Sequence, residues 1–342
     1  MKRGWSNTVG GARQKLLLWL AVPVVALLVW ALWPVAQPFK YTIENGAVTI
    51  IQYKGTSGAV SIPATINNLP VTCIGNAAFG GCASLTHVTI PASVTNIGDL
   101  AFAETGLTRV LIPDSVTGIG KEAFGHCARL SGVALPARIT NLDGGTFTRS
   151  GLTGVTIPSG VTNIEYGAFW GCANLTNVII PDRVVTVGNR AFCECRSLAG
   201  VTIGTHVSDI SEKAFSDCSR LSRVTIPDSV ATIGVAAFAG CTSLTGVTLS
   251  ASVTSIRADT FAGCSNLVQI TIPASVIHIR ETAFADCTSL KSVFFQGNAP
   301  SFGENVFLHA TNTIVYCHPE TTTGWTETSG GVPTAAWNAP AP

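Results

Sequence analysis

Charge is what this sequence has least of: Lys, Arg, Asp and Glu make up 11% of its 342 residues, and the net charge is +1. A chain so nearly neutral has no global field to hold a polyanion, which excludes nucleic acid as a partner. Familiar catalytic groupings are missing as well. There is no G-x-S-x-G, P-loop or dinucleotide glycine pattern, so no catalytic residue and no cofactor-binding residue can be named. The six histidines, His87, His126, His206, His278, His309 and His318, fall at unrelated positions with no pair at metal-ligand spacing. Cys193-Glu194-Cys195 lacks the spacing of a C-x-x-C pair. An exported enzyme would need acid, base or nucleophile groups converging on one cleft, and none stands out.

What the chain has instead is one sentence repeated. Phenylalanines stand at Phe79, Phe102, Phe124, Phe147, Phe169, Phe192, Phe215, Phe238, Phe261, Phe284 and Phe307, separated eight times by 23 residues and twice by 22. A fixed period in the twenties means stacked coils, each burying its apolar face only against its neighbours. A single methionine, 34 glycines and 46% apolar residues would be odd in a soluble globule. They suit a β-rich solenoid of about 10 to 11 rungs that buries identical side chains in ladders.

Within a repeat, Leu221, Val224 and Ile226 mark a short strand whose Val and Ile point inward while the residues between them point out. Pro227 follows at once, as do Pro91, Pro113, Pro136, Pro158, Pro181 and Pro273 in their repeats. Proline has no N–H to extend a ladder, so it marks the strand end. A second apolar pair, Val230 and Ile233, and the Ala-Phe pair form the return path, with Phe and Cys at i and i+3 expected on one side of a helical turn.

Eight cysteines, Cys82, Cys127, Cys172, Cys195, Cys218, Cys241, Cys264 and Cys287, stand three residues after a repeat phenylalanine. That is a packing position first, and the expectation is an unbridged ladder of buried thiols. Rungs lie about 5 Å apart, so Cys82 and Cys127, beside rungs without the cysteine, sit about 10 Å from any ladder partner. The two short repeats, at Phe102 and Phe147, lose a residue and the cysteine together and gain Gly106 and Gly151. This coupling suggests that the cysteine fills a void which a tighter glycine turn removes. Cys73, Cys193 and Cys317 lie off the ladder.

The ends differ from the array. Residues 1–15 are basic without an acid, and residues 16–36 run 21 positions without a charge. At 1.5 Å per residue that run spans about 30 Å, the thickness of a bilayer core. It predicts a transmembrane helix with the basic tail in the cytoplasm and the rest outside, Trp19, Trp30 and Trp33 suiting the interfaces. A cleavable signal peptide is the alternative, disfavoured by the length of the run and by Pro34 where a small residue is wanted. Residues 37–71 read as a β cap with a hairpin at Asn45-Gly46, and Val60, Ile62 and Pro63 already imitate the repeat strand. Residues 72–310 form the array, and 311–342 a C-terminal cap and tail.

The pattern Phe-x-x-Cys-x-x-Leu-x-x-Val-x-Ile-Pro-x-x-Val-x-x-Ile-Gly-x-x-Ala-Phe resembles the BspA-like class of leucine-rich repeats. The resemblance implies a curved, non-enzymatic solenoid at a bacterial surface, used for adhesion or protein recognition, and it carries over no ligand and no functional residue. The outward strand positions are the best candidate binding face, namely Thr156, Thr202, Thr225, Thr248, Thr271 and Phe294 with Arg109 and Arg223 beside them. A plain structural preference of threonine for strands would give much of the same strip. The expected partner is an extracellular or periplasmic protein or glycan. Regular threonines could also match an ordered surface such as ice or crystalline polysaccharide, although Leu111, Ala134, Ile179 and Phe294 interrupt them. A purely structural role in the cell envelope is the remaining reading.

The expectation that residues 16–36 stay attached has a direct check in mass spectrometry of the membrane fraction. The intact N-terminal segment should be recovered, and a mature N-terminus at Gln37 would show cleavage instead.

Overall fold

The computed structural model describes residues 38–318 and 322–337. The expected membrane helix at 16–36, its basic flank and the end of the C-terminal tail lie outside the described residues. Among the described residues the chain forms strands and turns and no helix.

Each coil has three stations. At the first, a three-residue strand such as Arg223–Thr225 pairs in parallel with its equivalent, Gly246–Thr248. Its central Val224 is buried and its flanking residues are exposed, because successive side chains of a strand leave on opposite faces. Pro227 then turns the chain, its carbonyl accepting from Val230 N at 2.9 Å. At the second station a two-residue strand, Thr232–Ile233, buries its isoleucine and pairs in parallel with Asp209–Ile210 of the coil before.

The third station corrects the expected helical turn. Lys213, Phe215 and Asp217 donate their N–H groups to Val235, Ala237 and Ala239 of the next coil at 2.7–2.9 Å. The alternate residues Ala214, Ser216 and Cys218 donate back within their own coil, to Ser211, Lys213 and Phe215. This alternation needs the backbone to reverse twice per coil, and φ is +55° at Lys213 and +58° at Asp217. Phe and Cys still share one buried side, but a third inter-coil ladder puts them there rather than a helix.

The core is a set of columns running along the solenoid. The phenylalanine rings from Phe79 to Phe307 stack in sequence with centroids 4.9–5.8 Å apart and interplanar angles of 3–18°. Each full burial stabilises by about 1.5–3 kcal/mol, and stacking adds about 0.5–1.5. At the N-terminal end Tyr53 stacks on Phe79 at 5.2 Å and Phe39 meets the same ring edge-on at 6.2 Å, so the cap supplies the aromatic faces the first coil lacks. Those residues come from the hairpin β1 (Phe39–Glu44) and β2 (Ala47–Tyr53), turned at Asn45 and Gly46 with φ of +51° and +74°. The strand β3 (Ala59–Ser61) pairs with His87–Thr89 as the first rung of the longer-strand sheet. At the other end, Ile314–Cys317 pairs in parallel with Ser292–Phe295, and Val332–Ala336 pairs with Ile314–Cys317, so the parallel ladder runs on past residue 310. An antiparallel pairing of Thr328–Ser329 with Val332 and Pro333 ends it.

Phe192 has a stacked ring on both sides, whereas Phe307 has one on a single side. Phe192→Ala should cost about 3–5 kcal/mol in denaturant unfolding and Phe307→Ala clearly less. Equal losses would contradict nearest-neighbour stacking.

Candidate functional site

The outward residues of the longer strands line one face, and the solenoid breaks that face into distinct surfaces. Thr225, Thr248 and Thr271 come from adjacent coils and line one shallow groove of about 340 Å³ together with Arg223 and Gln269. Gly246 keeps the groove open: only the Arg223 Cγ, at 4.0 Å, lies within reach of a Cβ there. Thr202 borders a neighbouring groove of about 850 Å³ with Asp182, Arg183 and Thr205. Thr205 donates both its N–H and its hydroxyl to Asp182 Oδ1, and these bonds hold the Asp182 carboxyl below the usual carboxylate range.

Thr156 lies elsewhere. Residues 154–156 form no strand, and with Gly132, Gly154, Asn177 and Ile179 they line a groove of about 540 Å³. Arg109 is exposed opposite Gly132, next to Leu111. Leu111 and Ile179 are 72% and 69% exposed, so this end of the face is apolar. Phe294 closes the opposite end, stacked on Tyr316 at 5.1 Å and tilted against Trp337 at 4.9 Å. The structure thus gathers Arg223, Thr225, Thr248 and Thr271, with Phe294 beside Thr271 on the next coil, and separates them from Arg109 and Thr156.

Hydrogen bonding distinguishes these threonines from others in the repeat. At the station three residues ahead of the outward one, Thr153, Thr176 and Thr245 donate their hydroxyls to backbone carbonyls of the preceding coil at 3.1 Å. Thr95 and Thr162 do the same beside the shorter strands, to Thr72 and Thr140 at 3.2 Å. Those hydroxyls stitch coil to coil. Among the described residues the hydroxyls of Thr202, Thr225, Thr248 and Thr271 make no such bond, and neither Arg109 nor Arg223 forms an ion pair. Their polar groups point to solvent and are available to a ligand.

The cysteine ladder has a polar role that sequence reasoning missed. Each thiol from Cys195 to Cys287 donates to the carbonyl of the phenylalanine one coil back, as Cys218 does to Phe192 and Cys241 to Phe215, both at 3.2 Å. Cys127 and Cys172 bond likewise to Phe102 and Phe147 at 3.1 Å. In the short coils Thr105 and Ser150 occupy the cysteine station, both buried and each within 3.3 Å of the next coil's thiol. The void-filling account is therefore replaced: the station is kept, and a hydroxyl substitutes for the thiol. Cys82 differs from its fellows in being partly exposed. Burial pushes the thiols up, Cys172 to about 11 and Cys287 to about 12. Cys193 also rises to about 11, through burial and then the nearby Glu194 and Asp217 carboxylates. Among the described residues no group of His, Cys, Asp and Glu is placed to hold a metal ion.

A family model described as "BspA type Leucine rich repeat region" matches in six copies, over residues 59–175, 162–265 and 208–324. Among solved structures, a leucine-rich repeat protein from Bacteroides ovatus ATCC 8483 is 26% identical with a TM-score of 0.54, covering 82% of this chain and 94% of that one. A leucine-rich repeat protein from Eubacterium ventriosum ATCC 27560 is 20% identical with a TM-score of 0.51, covering 90% and 95%. The pneumococcal vaccine antigen PcpA is 16% identical with a TM-score of 0.50, covering 89% and 98%. The last two likenesses show the fold alone. No curated protein matches the sequence.

The ladder geometry predicts thiol behaviour. In native protein at neutral pH a bulky thiol reagent should reach Cys73 and Cys82 and leave the buried ladder untouched; after denaturation without reductant most ladder thiols should react. Fewer than about three reacting would mean that bridges hold the ladder. Unfolded thiols ionise near their ordinary value of 9.0, and the folded ones only well above it. Below pH 9 both states keep their protons, so these groups leave stability unchanged there. As pH rises from 9 towards 12 the unfolded state releases protons first, and stability should fall.

Proposed function

We propose, because this chain belongs to the BspA-type leucine-rich repeat family, that its array acts outside the cytoplasm as a non-catalytic recognition surface for a protein or glycan. The observation that carries this reading is the groove of Arg223, Thr225, Thr248, Thr271 and Gln269, whose threonine hydroxyls are left unused while those of Thr176 and Thr245, three residues ahead of the outward station, stitch coil to coil. A surface kept polar and uncommitted at adjacent rungs offers a partner a row of donors and acceptors at fixed spacing.

The face is long and shallow. About eleven rungs at about 5 Å extend it to roughly 50 Å, room for a standard protein interface without a deep pocket. Its near neutrality means that shape and hydrogen bonds supply the affinity, with weak dependence on salt. An ordered lattice is a poorer fit, because Leu111 and Ile179 are exposed within the same face and Phe294 ends it in an aromatic cluster. Attachment through residues 16–36 would display the array from a membrane, with adhesion as the use to which such a display is put.

Replacing both Thr225 and Thr248 by Lys places two charges in the middle of the groove while leaving the buried Val224 and the partly buried Val247 untouched. Circular dichroism and the unfolding midpoint should be unchanged, and binding to a partner recovered by pull-down from extracellular proteins and glycans should be lost. Binding that survives the double change in folded protein would remove this groove from consideration.

A further inference from the structure

A second surface lies on the turns, where the repeat sets a template and one place departs from it. Two residues before each stacked phenylalanine φ is positive, and ordinary side chains meet it: Ala77, Leu100, Glu122, Arg190, Lys213 and Ala236 have φ of 50–57°. Glycine is therefore not demanded by the conformation. Yet the coils of Phe147 and Phe169 carry Gly145 and Gly167 there, with Gly144 beside the first. On Gly144 a Cβ would meet only the Tyr166 carbonyl, at 3.5 Å, so the space over it is open. On Gly145 a Cβ would stand 2.7 Å from Cγ of Glu122, whose side chain lies across the glycine. The missing side-chain layer opens a groove of about 300 Å³, with Lys121, Glu122 and His126 on one side and Tyr166 and Trp170 on the other.

Trp170 breaks the same template. One residue after the phenylalanine the other coils up to Phe284 carry small groups, such as Gly80, Ala103, Gly125, Cys193, Ser216 and Ala239, the last coil carries Leu308, and here alone the chain places an indole. The indole lies outside the core, partly exposed, and Tyr166 is 48% exposed. Both rings are held in place. The indole N–H donates to Glu194 Oε1 at 3.1 Å and the Arg149 guanidinium lies 5.1 Å from the ring. Arg190 donates to the Tyr166 hydroxyl at 3.0 Å. Side chains fixed this way lose little freedom when a ligand arrives.

We propose that this groove is a binding site for a neutral pyranose sugar, separate from the threonine face. Its volume lies at the small end of ligand pockets, the size of one or two sugar rings. The aromatic side chains offer apolar surface to the C–H face of a sugar ring, and Glu122, His126 and Lys121 offer an acceptor and donors to its hydroxyls. Lys121 and Glu122 oppose one another in charge, which favours a neutral ligand. Arg149 already occupies the indole face a cation would seek.

The test uses residues the repeat itself tolerates. Asn76 and Asn189 occupy the station of Gly144, where a Cβ meets only the Tyr166 carbonyl at 3.5 Å, so Gly144→Asn fills the groove without asking the backbone for a new conformation. Calorimetric titration of the full chain with methyl glucoside, methyl galactoside, N-acetylglucosamine and their β-linked tetramers should show saturable binding for at least one. The filled variant and Tyr166→Ala should each weaken it by about tenfold or more with the unfolding midpoint unchanged. The Thr225→Lys, Thr248→Lys protein should retain it, which separates this site from the proposed recognition groove. Absence of saturable binding across the panel, or binding undiminished in a folded filled variant, overturns the assignment.

Discussion

Everything in this molecule depends on peptide groups that bond along the solenoid axis. At the turn station the peptide joining Ala101 to Phe102 accepts from Phe79 N and donates to the Ala123 carbonyl, both at 2.8 Å, and the column continues coil after coil to Val306. Two further columns flank it, through the residues two before and two after the phenylalanine, as with Leu100 to Lys121 and Glu104 to Gly125. A buried peptide left without partners costs as much as a lost hydrogen bond, so each coil needs a neighbour in register. The spacing of the coils is set by that bond length, and the phenylalanine rings then have little choice but to stack about 5.5 Å apart.

The thiol ladder follows from the same requirement. The Phe215 carbonyl accepts from its own coil through Cys218 N, at 3.3 Å, and has a second lone pair facing the next coil. The Cys241 thiol takes that lone pair. A small, weakly polar group that also fills apolar space is what such a buried station favours; in the shorter coils a hydroxyl occupies it with other partners, Thr105 donating to the Phe102 carbonyl of its own coil and Ser150 lying 3.3 Å from the Cys172 thiol. Nothing in this role calls for oxidation, and thiols raised this far above their ordinary value stay protonated and poor nucleophiles at neutral pH.

Much of this architecture was legible in residue order, because a period of 22 or 23 repeats every core position in register. Val224 and Ile226 inward, Thr225 outward and the strand end at Pro227 all follow from alternation and from the chemistry of proline. The third station was misread for a physical reason: Phe215 and Cys218 have helical spacing, while the positive φ that makes a ladder sits on Lys213 and Asp217, residues that do not announce it. The thiol bonds were hidden because their partners are 25 or 26 residues apart. Substitution of Cys by Thr105 and Ser150 at one station was the available signal, since a shared ability to donate is what those three side chains have in common. The candidate strip was legible only as a column. Its division into an apolar end at Leu111 and Ile179 and a hydroxyl-bearing groove at Thr225 to Thr271 depends on which coils carry glycine and which lack a strand.

Function in such an array has to reside in departures from the repeat. A residue that recurs in every coil is accounted for by holding one coil to the next, and stacking would select it whatever the protein bound. The informative positions are those where the packing is indifferent and the chain is nevertheless specific. On one face Arg223 and Gln269 meet that criterion, at a station that carries His, Asn, Gly or Ser in other coils, beside the recurring threonines of the groove. Gly144, Gly145 and Trp170 meet it on another, since their stations accept Asn, Ala and small residues elsewhere without change of backbone. A rigid scaffold makes both surfaces cheap to vary: once the axial hydrogen bonds and the phenylalanine column are in place, an outward side chain can change with little consequence for the fold, so its identity is free to answer to a ligand.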